Sequence, residues 1–415
     1  MTTELEKTSP RQITTEPLFS DVVINTTSSR HGVDNVTAAF QAPEGCLVIP
    51  FSNIRPWDNP EDLVSHETYK HVMQFVNVYF ISLCFVISVP TNVINMAVFW
   101  KHGIKERINL CLFCLSFADF IIVSFYFLMY AEMVYATITN TSYQDIWLLY
   151  IIKNMIYYVP GTFPFVSGFL STLIAFERCL CVVSPLKAQT MIQTKTTAVI
   201  IAIGHVVILA GAYVIVARFT VVCMFDPFTG KSINAPYPSD FYINNREFAD
   251  IMSVIFYGIS LPGIYIIGVS ISTIVTIVKL RRMAEWREQS SSSAGLSRGG
   301  AAVLDTTLTR MLIGTSCVFV ACTTPLFLFY ITLLFIPELT SNGKYHNTYR
   351  VLTVLYQMLV YSNSSVNFFV YYFFGTKFRL TVQGMFCRRQ RTGHRTGNTA
   401  GTEVSNDTMV SLANQ

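Results

Sequence analysis

Two acids stand where acids are costly. Glu177 sits beside Arg178 at the end of a long apolar stretch, with Leu173-Ile174-Ala175-Phe176 leading into the pair, and Asp119 lies deep within another such stretch. A charge at the centre of a membrane span costs roughly 2.5–3.5 kcal/mol on insertion scales, so such residues are paired, hydrated or put to use. Glu177 and Arg178 can form an ion pair that holds a guanidinium in place; the simpler alternative is that Arg178 snorkels to the headgroups. Asp119 requires compensating donors or a cation. His205 is alone in its apolar stretch and fits a local hydrogen bond better than a metal. There is no His-x-x-Glu-His-like set and no convergent nucleophile and base, so no enzyme and no metal site is expected.

The elements that must position these residues are long and apolar. The chain is 52% hydrophobic, 14% aromatic and 13% charged, with a mean hydropathy of +0.44. This is a membrane composition. A net charge of +4, spread along the chain, excludes a nucleic-acid surface. Seven apolar stretches, at about 73–100, 108–135, 150–182, 196–219, 249–279, 306–336 and 347–374, each reach the roughly 20 residues that a bilayer core demands. Pro90, Pro160, Pro164, Pro262 and Pro325 interrupt them, as membrane helices tolerate.

Residues 1–72 read as a polar outer tail without a cleavable signal peptide, 280–304 as a flexible linker, and 388–415 as a disordered cytoplasmic tail. Basic residues cluster in alternate intervals, among them Lys101, Lys105, Arg107, Arg281, Arg282, Lys377 and Arg379. The opposite intervals hold fewer near the membrane, including Arg218 and Arg246, so the N-terminus is expected outside and the C-terminus in the cytosol. Glycosylation acceptors at Asn25, Asn35 and Asn140 all fall on the outer side by this reckoning.

Glu177-Arg178-Cys179 at the inner end of a third helix resembles the rhodopsin-like family of G-protein-coupled receptors. The likeness extends to Asn92 in the first helix, Leu115-Ser116-Phe117-Ala118-Asp119 in the second, Pro262 and Pro325 in the fifth and sixth, and Asn367-Phe368-Phe369-Val370-Tyr371 in the seventh. Gly375, Phe378 and Arg379 then resemble the start of that family's amphipathic eighth helix, over 375–387. Departures are numerous. Phe368 replaces the seventh-helix proline, Thr323 stands at the sixth-helix tryptophan position, and Lys153 at the third-helix cysteine. Such divergence resembles invertebrate members, including molluscan chemosensory receptors and relatives of peptide receptors.

The resemblance implies an all-α, seven-transmembrane bundle with a short eighth helix, in the plasma membrane. It implies a receptor for an extracellular neuropeptide or chemosensory small molecule that activates a heterotrimeric G protein. A polytopic transporter or channel is the alternative, although no half-repeat is evident. By family position, Glu177, Arg178, Asp305 and Tyr371 form the coupling switch; the alternative for Asp305 is that it only caps the sixth helix. Asn92, Asp119, Ser167, Asn363, Ser364 and Asn367 form a polar network able to hold a sodium ion or a proton, or a hydrogen-bond network with no ion. Tyr157, Phe163, Tyr257, Phe327, Tyr330, Tyr356, Gln357 and Tyr361 are expected to line the ligand cavity; ordinary aromatic packing is the alternative. No acid lies between Asp145 and Glu177, which argues against an amine ligand, and no lysine lies between Lys344 and Lys377, which argues against retinal. With no cysteine at the outer end of the third helix, Cys46 is expected to bond Cys223, two thiols that never meet being the alternative, and Cys387 is a palmitoylation candidate beside Arg388 and Arg389.

Overall fold

A computed structural model describes residues 46–48, 58–139, 147–185, 193–226, 231–291, 300–340 and 343–391. The acceptors Asn25, Asn35 and Asn140 lie outside the described residues, as does the tail beyond 391.

Seven long helices form the bundle. α1 runs from His66 to His102, with a π-helical segment at Phe75–Phe80, and the Ser65 hydroxyl accepts from the Thr68 amide at its start. It ends at Gly103, whose φ of +96° suits glycine far better than a residue with a Cβ. α2 spans Arg107–Thr139, α3 Trp147–Val183 and α4 Thr194–Val216. α5 is continuous through Arg246–Asp250, the π-helical Ile251–Ser260 and Leu261–Ser291. α6 spans Gly300–Phe335, α7 His346–Phe374, and the eighth helix, α8, Thr376–Arg391.

Among the described residues, six helices are long and apolar enough to cross a membrane by length and composition. α7, at 29 residues, has the length, but its hydropathy is diluted by Asn347, Ser362, Asn363, Ser364, Ser365 and Asn367. Ser364 and Asn367 are buried against neighbouring helices, so this polarity belongs to the bundle interior. The outer surface is the reverse: Ile203, Val206 and Val207 of α4 and Ile264, Ile267 and Ile271 of α5 are all more than half exposed. An apolar exterior around a buried Asp119 marks a membrane protein. Phe99, Leu112, Val166, Leu170, Leu312 and Tyr371 bring five helices into one apolar core.

Three boundaries differ from the sequence reading. The segment read as a linker over 280–304 is mostly helix, because Met283-Ala284-Glu285-Trp286-Arg287-Glu288-Gln289 favours helix and carries α5 on to Ser291. α8 likewise continues past 387, to Arg391. The N-terminal segment read only as a polar tail contains order, since Leu47–Val48 forms a strand, β1. This pairs in parallel with β2 (Phe219–Asp226), itself in an antiparallel hairpin with β3 (Lys231–Pro238). The bundle is therefore topped by a small sheet that the all-α expectation omitted.

Cys46 and Cys223 are joined as a disulfide across 177 positions, as expected. A second attachment lies at α7. The Asp62 carboxylate accepts from the backbone amides of Asn347 and Thr348 and from the Thr348 hydroxyl. Glu61 pairs with Lys344 nearby, which holds the Glu61 carboxyl below its usual range.

Cys223→Ser is expected to lower the thermal midpoint of the detergent-purified protein by several degrees, since a disulfide is typically worth about 2–4 kcal/mol. Thiol labelling of the native wild type at both Cys46 and Cys223 would contradict the bond.

Candidate functional site

The polar interior is stacked in three levels along the bundle. At one end of α3, Glu177 is 2% exposed and its Oε1 lies 3.4 Å from Arg178 Nη2 and 3.4 Å from Arg107 Nε. One carboxylate thus faces two guanidiniums, which limits the cost of burying all three groups. Sequence reasoning counted Arg107 only as a loop charge. Its position at the first residue of α2, across from Glu177, was the missing signal. Asp305 lies in the first turns of α6, but its side chain is outside the described residues.

Tyr371 is fully buried in the same region, its ring set edge-on to Phe99 at 5.3 Å and tilted against Phe378 at 5.6 Å. Its hydroxyl makes no hydrogen bond among the described residues. Phe378 is the buried anchor that seats α8 against α1 and α7. Cys387 is on α8, with its side chain outside the described residues.

The middle level is built around Asp119. Asn367 Nδ2 donates to its Oδ2 at 2.8 Å and the Ser167 hydroxyl to its Oδ1 at 3.0 Å, so helices α2, α3 and α7 meet on one carboxylate. Asn92 Nδ2 bonds the Ser364 carbonyl at 3.1 Å, and Asn95 Nδ2 reaches Asn92 Oδ1 at 3.4 Å, which adds α1. The Ser364 hydroxyl is buried beside Asp119 without full hydrogen-bond geometry, and Asn363 borders the cavity above. Five of the six residues expected here are linked by these contacts, with Asn363 adjacent.

The upper level is a cavity of about 310 Å³ between α3, α5, α6 and α7. Of the expected lining, Tyr257, Tyr330 and Tyr356 border it. Four others do not. Phe163 is packed between α2 and the core, and Phe327 lies against the α5 backbone at Gly263. Gln357 accepts a hydrogen bond from Tyr130 at 3.2 Å, and Tyr361 is fully buried against Tyr126 with ring centroids 4.5 Å apart. Side-chain direction around a helix separated these from the rest, since each residue turns the direction by about 100° and so moves a ring from cavity to core. The side chain of Tyr157 is outside the described residues.

Thr323 and Cys322 border the cavity on α6, and the π-helical stretch of α5 sends Tyr257 inward to bond the Ile208 carbonyl at 3.0 Å. Tyr126, Ser253, Phe329, Tyr349 and Arg218 also line it, none of which was expected there from the sequence.

A seven-helix membrane bundle with a cavity at one end, a buried carboxylate below it and a clamped guanidinium at the other end defines a receptor of the seven-transmembrane class. The chain belongs to the rhodopsin family of seven-transmembrane receptors, whose family model matches residues 91–371. No curated protein matches it in sequence. The family is one of receptors rather than enzymes.

Proposed function

We propose that this receptor sits in the plasma membrane with its N-terminus outside, binds an extracellular neuropeptide or chemosensory small molecule in the upper cavity, and activates a heterotrimeric G protein. The observation that carries the reading is the linkage along the bundle. The cavity borders Ser167 and Ser364, and Ser167 and Asn367 share Asp119. Tyr371 follows Asn367 by one turn on α7, toward the level of the clamped Arg178. A ligand that shifts α7 against α3 alters hydrogen bonds at Asp119, and packed interfaces convert such small shifts into discrete rearrangements.

Activation then frees Arg178 from Glu177, and from any contact with Asp305, to meet the G protein. Tyr371 moves into the space between the helices as α6 swings. Asp119, with the hydroxyls of Ser167 and Ser364 and the amide oxygen of Asn363, offers hard oxygen donors that suit a sodium ion in the resting state. Palmitoylation of Cys387 would fix α8 to the inner leaflet, and the acceptors Asn25, Asn35 and Asn140 would carry sugars outside. The transporter or channel alternative is not favoured.

The purified receptor is expected to accelerate GDP release from a heterotrimer on addition of the active fraction from a ligand screen. Absence of exchange with every major G-protein class, using a receptor that demonstrably binds that ligand, would refute the reading.

A further inference from the structure

We infer that the ligand presents an anionic carboxylate to Arg218 and places an aromatic or apolar body among the tyrosines below; this rests on the upper cavity being the ligand site. Arg218 is the one charged residue bordering the cavity among the described residues. It is held in place by a built frame. The residue follows the end of α4 and precedes β2, and its carbonyl accepts from the Ser239 amide at 2.9 Å. The side chain is 7% exposed, donates to Ser253 and Asp250 on α5, and reaches the Tyr242 hydroxyl at 3.2 Å, with its guanidinium carbon 4.6 Å from that ring's centroid.

A cation so deeply buried needs a counter-charge. Asp250 supplies it without itself bordering the cavity, whereas Arg218 and Ser253 do border it. Asp250 is also more exposed than its partner, at 22%. A ligand carboxylate entering the cavity can therefore exchange with Asp250 on the planar fork of the guanidinium, which suits carboxylates in particular. An ammonium would meet the wrong charge, and a neutral amide would provide only a weaker acceptor.

The remaining lining explains the other half of the ligand. Tyr257, Phe329, Tyr330, Tyr349 and Tyr356 border the same space. Rings bury apolar surface there and can stack on an aromatic group. Arg218 also joins the end of α4 to the beginning of the π-helical segment of α5, through Asp250 and Ser253. Exchange of Asp250 for the ligand's acid would thus loosen α5 at its outer end, which links recognition to movement.

The carboxylate can come from a free aromatic acid or from the C-terminus of a peptide. The test uses the full-length receptor in detergent without G protein, and reads its thermal midpoint against N-acetyl-phenylalanine, its amide, phenethylamine, and a short phenylalanine-ending peptide as acid and as amide. At least one acid is expected to raise the midpoint at concentrations about tenfold or more below its amide, with the amine weaker still. Action of the small acid assigns a free acid, and action of the peptide acid alone assigns a peptide terminus; both uphold the proposal.

Arg218→Gln should remove the preference for acid over amide, and Arg218→Lys should retain part of it. If Arg218→Gln does not fold, the acid-to-amide ratio of the wild type decides alone. An amide or amine that stabilises as well as its acid would overturn the proposal, as would no shift from either acid at about 1 mM. Because no G protein is present, acid binding without later nucleotide exchange would refute signalling and leave this inference standing.

Discussion

Glu177→Gln is expected to raise ligand-independent nucleotide exchange about five- to thirty-fold, the ratio that 1–2 kcal/mol represents. The substitution keeps the shape of the side chain and removes the charge that Arg107 and Arg178 share, each at 3.4 Å. Both guanidiniums are less than a fifth exposed, so neither recovers full hydration when the acid is lost. Arg107→Gln should give a smaller rise with ligand-driven exchange intact, since Arg178 still faces the acid when Arg107 is removed. Arg178→Gln should instead abolish exchange. Basal activity unchanged in Glu177→Gln, at normal surface expression, would show that the carboxylate does not restrain the resting state.

Asp119→Leu should eliminate ligand-stimulated exchange and lower the thermal midpoint. The substitution strands the Asn367 amide and the Ser167 hydroxyl inside the bundle, at about 1–3 kcal/mol for each unsatisfied group. Asp119→Asn retains an acceptor oxygen and should fold, yet it lacks the charge that a cation requires. Ligand affinity in the wild type is therefore expected to fall as sodium replaces potassium in the buffer, and in Asp119→Asn to be indifferent to the exchange. Equal sodium sensitivity in both proteins would exclude Asp119 as the ion's anchor.

The arrangement at Asp119 was legible because motif positions on successive helices leave few ways to satisfy one buried acid. The Cys46–Cys223 bond was legible for a similar reason: few cysteines lie outside the apolar spans. What resisted reading depends on side-chain direction. Arg107 and Arg218 both count as loop charges in a tally of basic residues, yet one turns to Glu177 and the other to the cavity. Tyr361 and Tyr356 are five positions apart on a single helix, and only the second borders the cavity. β1 was hidden because its two residues have no periodicity to detect, and its pairing partner lies far along the chain.

The double attachment of the amino-terminal region bears on how the receptor can be shed or trimmed. A protease that cuts between Val48 and Asp58 releases no fragment by itself, because the upstream piece, with the acceptors Asn25 and Asn35, remains clipped to the hairpin through Cys46. Asp62 meanwhile keeps the new chain end at the start of α7. Loss of that piece after such a cut therefore requires a reductant as well, and a gel run without thiol would report the nicked receptor as whole.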